Sequence, residues 1–323
     1  MPKSNHLSLI AKLALFTATI IWGSTFVILK NTIAELPIYF VLTVRFLLAP
    51  LILGAIMFKS WKNFSWSTVW RGGVTGIVLA AAYVTQTIGL KYTTPGTNAF
   101  LTATYSVMVP FMMWAFTRRK PTAFNVVAAI LGVVGVGLVS FDGSFSSFNF
   151  MGEGMTLLCG VAFALQIICI ATIGKGQDAT QFTIFELLSC GLCMLVLYLA
   201  LEYKEPIVLN GDAIFNLSYL TIMGTAVALF IMTWGMKYAS ASSSALIMSL
   251  EAVFGVIFSI IFYNEKLTWR VGIGFAVIFI AVIVSEYLGA KFVKKPLNNL
   301  ASPKNSIKQY PKLQNDAQSW YKR

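Results

Sequence analysis

The chain has 323 residues, 57% of them hydrophobic and only 11% charged, with a formal net charge of +12. A soluble domain carries about 25% charged residues to stay dispersed, so water is not the main solvent of this chain. The positive charge lies in short loops and in the last 35 residues without a groove-reading pattern, which argues against nucleic acid and for anionic lipid at a cytosolic face.

Runs of about 20 apolar residues recur, each long enough to cross a hydrocarbon core of roughly 30 Å as a helix. In chain order they predict spans at 10–29, 39–58, 72–90, 97–116, 123–140, 153–173, 182–201, 217–236, 243–263 and 268–288. The runs are continuous and lack the alternation of barrel strands, so the expected fold is an all-α membrane protein of ten transmembrane helices. Lys3 and Lys12 precede the first run as in a signal peptide, but no small-residue cleavage pattern follows. It reads as a retained first helix. Cys159, Cys169, Cys190 and Cys193 all fall inside apolar runs, so neither a disulfide nor a metal site is expected, and the C-x-x-C of Cys190 and Cys193 reads as packing.

Lysine and arginine set the orientation. With a cytosolic N-terminus, the inner segments hold Lys59, Lys62, Arg71, Arg118, Arg119, Lys120, Lys175 and Lys237 besides Lys3, Lys12 and the tail, against Lys30, Lys91, Lys204, Lys266 and Arg270 outside. Both termini are therefore expected inside. After Leu288 the chain turns to Lys, Asn, Ser, Pro and Gln, too polar to order itself, and 289–323 reads as a disordered cytosolic tail.

Self-similarity then divides the chain. Thr87-Ile88-Gly89-Leu90-Lys91-Tyr92 returns as Thr233-Trp234-Gly235-Met236-Lys237-Tyr238 at an offset of 146, and near each half's start an offset of 141 places Trp22 opposite Phe163 and Arg45 opposite Glu186. Five helices per half is an odd number, so the second half would enter the membrane from the opposite side. Inverted repeats of that kind are the architecture on which many secondary transporters alternate access.

Trp22-Gly23-Ser24-Thr25-Phe26, Arg45-Phe46, Gly89-Leu90-Lys91-Tyr92-Thr93 through Pro110, and Leu250-Glu251-Ala252-Val253-Phe254 through Asn264-Glu265-Lys266-Leu267-Thr268 resemble EamA domains, the paired five-helix repeats of the drug/metabolite transporter superfamily. The resemblance covers about residues 9 to 288. It implies a short tail at 1–8, a first repeat at 9–141, a second at 152–288, and export of small polar metabolites such as amino acids across an inner membrane. Three departures stand out: Glu251-Ala252 where the family usually has Glu-Pro, Arg118-Arg119-Lys120 where it commonly has Gly-Glu, and Asn264 in place of Gly.

A charge at bilayer centre costs about 2.5 to 3.5 kcal/mol on insertion scales, so ionisable residues at depth mark function or pairing. Arg45, Glu186 and Glu251 qualify. At 1.5 Å per residue, Arg45 lies roughly 9 Å below the outer surface and Glu186 roughly 6 Å from the inner one, some 15 Å apart. Both can snorkel, and Arg45 serves equally as an anchor or as a ligand for a substrate carboxylate. Glu251 lies near 12 Å deep on one helical face with Ser244, Met248 and Gly255, and its repeat partner Tyr105 shares a face with Asn98 and Thr102. Two polar stripes would thus face a central axis, interhelical hydrogen bonding being the competing role. Trp22, Tyr83, Gln86, Gln166 and Trp234 are further cavity candidates, with helix packing as their alternative. Gly23, Gly132, Gly135 and Gly137 read as close helix approaches.

A secondary transporter of small molecules by alternating access is therefore expected, with no cofactor and with protons as one coupling option. The alternatives are a non-transporting receptor or assembly subunit and, last, a membrane enzyme. The only histidine is His6, and no H-E-x-x-H, G-x-S-x-G or P-loop sequence occurs. Cargo, direction and oligomeric state stay open at this level.

Overall fold

The computed structural model of the chain describes residues 3–57, 65–118, 120–140, 149–238 and 247–289. The basic tail, Ser244, Lys59, Lys62 and Arg119 therefore lie outside the described residues. The helices are α1 (Lys3–Glu35), α2 (Ile38–Ile56), α3 (Trp66–Tyr92), α4 (Pro95–Ala103), α5 (Tyr105–Thr117), α6 (Ala123–Ser140), α7 (Met155–Thr172), α8 (Ala179–Leu201), α9 (Gly211–Thr221), α10 (Ala228–Tyr238), α11 (Leu250–Phe262) and α12 (Trp269–Ile283). Short π-helical turns at Phe150–Gly154, Ile222–Val227 and Val284–Gly289 precede α7, join α9 to α10 and extend α12. No strand occurs among the described residues. Eight stretches, from Leu7–Glu35 to Gly211–Met232, are long and apolar enough to cross a membrane, and Leu250–Phe262 and Trp269–Ile283 are shorter apolar helices.

Loop residues start these helices by capping their free N–H groups. Asp178 accepts from the Gln181 N–H at 2.9 Å, Asn210 from Ala213 at 2.7 Å, Thr268 from Val271 at 3.3 Å and Asn149 from Gly152 at 3.0 Å. The helices overrun the apolar windows because a helix remains the way to satisfy backbone groups near a membrane after the side chains turn polar. Thus Lys30 and Lys91, expected in loops, are helical residues of α1 and α3, and Arg71 lies in the second turn of α3 rather than before it.

Helices before residue 141 pack chiefly on helices after 149. α3 packs on α7 and α8, α2 on α8, α1 on α10 and α11, α4 on α11, and α6 on α12. Two apolar cores result. One gathers Leu42, Phe46, Leu79, Leu90, Leu187 and Met194 from α2, α3 and α8; the other gathers Phe100, Leu101, Val107, Phe275 and Ile278 from α4, α5 and α12. Gly23 lets α1 approach the backbone of α11 at Phe254 and Gly255, where a Cβ would not fit, whereas Gly137 meets nothing within 4 Å and is no close approach.

Among the described residues, two that are not glycine adopt left-handed backbone, Arg118 at φ 60° and Asn264 at φ 54°. Such a conformation costs an ordinary residue roughly 1–2 kcal/mol and serves to end a helix. The two are 146 residues apart, the offset of the sequence repeat.

Beyond Asn264 the chain folds back so that Glu265 reaches the turn between α3 and α4. Its carboxylate accepts from the Thr94 hydroxyl at 2.6 Å, the Gly96 N–H at 3.1 Å and the Ser259 hydroxyl. At the other end of the same turn Lys30 donates to the carbonyls of Leu90, Lys91 and Thr93 at 2.6, 2.8 and 2.8 Å. An anion at a helix N-terminus and a cation at a C-terminus are both favoured by the helix dipole. Glu202 does the same for α2, accepting from the Tyr39 N–H at 2.6 Å.

Candidate functional site

Between α1, α4, α5, α11 and α12 lies a small cavity of about 20 Å³, lined by Phe26, Thr102, Tyr105, Ser106, Met248 and Glu251 among others. Two local breaks shape it. The stretch read as one span at 97–116 divides at Thr104, whose hydroxyl turns back to the Leu101 carbonyl at 2.6 Å, and α11 begins after a turn at Ser249. Tyr105 and Glu251 sit just past these breaks. The turn at Ser249 forms although Ala252, not a proline, follows Glu251. Glu251 is half-buried, its carboxylate facing the cavity, and it is within electrostatic range of Arg45, Tyr83 and Cys159.

Arg45 on α2 is 3% exposed and does not snorkel outward. Its Nε donates to the Thr225 hydroxyl at 2.6 Å and its Nη2 to the Gly224 carbonyl at 3.5 Å, while its guanidinium lies over the rings of Phe46 and Tyr83 at 5.2 and 5.1 Å. The Gly224 carbonyl also accepts from the Trp22 indole at 2.8 Å. Both acceptors belong to the π turn Ile222–Val227, where i→i+5 pairing leaves backbone groups free for side chains. Tyr83 completes this cluster, packed at 4.5 Å from Phe46 and 5.4 Å from Phe163.

The remaining candidates separate. Glu186 is buried on α8, accepts from the Gln166 amide at 2.7 Å and does not line the cavity. Cys190, one turn along α8, lies within electrostatic range of both Glu186 and Arg45. Asn98 is fully buried and donates to the Thr156 hydroxyl at 2.8 Å and the Gln86 carbonyl at 3.2 Å, tying α4 to α7 and α3. The Gln86 amide reaches Thr102 at 3.4 Å. Trp234 is half-buried on α10, away from the cavity lining. Thr225, Gly224 and Ser106 carry no sequence signal of their own, as each reads as one more small residue in an apolar run.

Stacked apolar helices with polar groups buried among them define a multi-pass membrane protein. Residues 9–141 and 150–287 each match the EamA-like transporter family, and the chain belongs to that family. An uncharacterized transporter of Archaeoglobus fulgidus is 30% identical over 276 residues, covering 85% of each chain. A second from the same organism is 24% identical over 272 residues, covering 81% of this chain and 92% of its own. The uncharacterized transporter YetK of Bacillus subtilis is 22% identical over 289 residues, covering 85% and 86%. A solved structure, titled only as the crystal structure of a protein, superposes with a TM-score of 0.62 at 17% identity over 87% of this chain and 98% of its own, a likeness of fold.

Proposed function

We propose that the chain is a secondary carrier, working as an exporter of small polar metabolites such as amino acids across the inner membrane, with Glu251 as the group that binds a cationic part of the cargo or a proton. The carrying observation is the cavity at the breaks of α4–α5 and α11, which a half-buried carboxylate and the side chain of Tyr105 both line. In this reading ten spans form two inverted halves, 9–141 and 152–288, between a short N-terminal tail at 1–8 and a disordered basic tail at 289–323, with both termini cytosolic. The 146-residue spacing of Arg118 and Asn264 supports the repeat, as do the breaks at Thr104 and Ser249, one residue off that spacing. Two related halves can exchange conformations about a site near the midplane, which is what alternating access requires.

Flux of amino acids into sealed vesicles holding the purified protein tests the function, and cysteine labelling of intact cells at Asp212 and Lys62 tests the orientation. Saturable flux with labelling at Asp212 alone is expected. Labelling at Lys62 but not Asp212 reverses the topology, and an absence of flux for every metabolite that raises thermal stability removes the carrier reading.

A further inference from the structure

Arg45 is 3% exposed, yet no acidic side chain stands within ion-pair distance of it among the described residues. A guanidinium offers five N–H donors, and only Nε and one of Nη2 are taken, the second at a long 3.5 Å. A buried cation held by one hydroxyl, one distant carbonyl and two ring faces has N–H donors left for a further acceptor. Beside it stands the Tyr83 hydroxyl, close enough to feel the guanidinium and without a hydrogen bond among the described residues. Glu251 completes the surroundings as the negative group in electrostatic range of both.

What Arg45 does hold is a point of weakness in a membrane helix. The π turn Ile222–Val227 interrupts regular pairing between α9 and α10, and such turns kink helices. Its Gly224 carbonyl is held by Trp22 from α1 and by Arg45 from α2, and its Thr225 hydroxyl, which donates to the Leu220 carbonyl at 2.9 Å, accepts from Arg45. The turn is thus fastened by a buried cation that has no acidic partner within ion-pair distance among the described residues.

We infer that Arg45, with Tyr83, is the position that takes a carboxylate of the cargo, and that taking it loosens the grip of Arg45 on Thr225 and frees the π turn as a hinge between α9 and α10. A carboxylate taken on the Nε/Nη2 edge accepts two charge-assisted N–H bonds, stronger than the neutral hydroxyl and carbonyl contacts they replace. The cargo then carries an anionic end for Arg45 and a cationic end for Glu251, that is, a zwitterion. This rests on the carrier reading for its cargo, but the hinge is observable without transport.

The test is hydrogen–deuterium exchange of the full chain in lipid nanodiscs, followed over residues 211–232. A millimolar mixture of the common amino acids should speed exchange there by roughly threefold or more, because the hinge opens locally, while the same mixture as carboxamides should not. Thr225→Val keeps the side-chain volume but removes the acceptor, so it should give the faster exchange without ligand and no further response. Arg45→Lys keeps the charge without the fork and should lose the response. Unchanged exchange in wild type with both mixtures, or an equal response to carboxylates and carboxamides, overturns the inference whether or not the variants fold. An intact response in a protein that shows no flux would sink the carrier reading and leave the hinge standing.

Discussion

Replacing Glu251 by Gln should cut cargo flux at least about tenfold, an increase of about 1.4 kcal/mol or more in the barrier, and should remove its dependence on pH. The amide keeps the shape of the side chain and its hydrogen bonding but can neither ionise nor exchange a proton. A carboxylate that faces a cavity between α4, α5 and α11 can hold a cation or a proton but not both, and that competition is what couples two fluxes in an antiporter. Folding should survive, since no described helix end or interhelical bond depends on this side chain. Transport by the Gln variant at the wild-type rate with the wild-type pH profile would make Glu251 structural, and Glu186, paired with Gln166, would be the next residue to test.

Removing the Glu265 carboxylate should have the larger effect on stability. Glu265→Ala leaves the Thr94 hydroxyl, the Gly96 N–H and the Ser259 hydroxyl without their common acceptor, and unfastens the N-terminus of α4 from the end of α11. Hydrogen bonds to a charged group contribute about 1.5–3 kcal/mol each when buried; because this carboxylate is half-buried and the three share one group, a total of about 2–3 kcal/mol is expected. Thermal unfolding in detergent measures it, with Glu265→Gln losing roughly half as much because an acceptor remains. Equal melting of the Ala variant and the wild type would show that Lys30 and the packing of Gly96 hold the turn alone.

Apolar windows located the membrane helices because burial in lipid demands continuous hydrophobic runs, and the repeat and its EamA likeness were legible in short motifs such as Gly89-Leu90-Lys91-Tyr92. Helix ends were not, since backbone pairing outlasts hydropathy, as at Lys30 and Arg71. Glu251 and Tyr105, picked out by their helical faces, both line one cavity. Arg45 could not be placed from its depth alone, because its partners are a hydroxyl and a carbonyl exposed by a π turn that no residue pattern announces. Asn98 looked like a cavity residue by its face on the helix, yet the fold turns its amide onto Thr156, a contact set by how α7 packs rather than by α4 itself.

Cysteine accessibility at the cavity tests alternating access most directly and needs no known cargo. Met248 lines the cavity beside Glu251, and the chain has 4 native cysteines that can be replaced by alanine or serine. With Met248→Cys in that background, a membrane-impermeant maleimide should label the protein both in right-side-out and in inverted vesicles, because a carrier opens the same site to each face in turn. Labelling confined to one face, or to neither, would contradict a site that alternates between the two sides of the membrane.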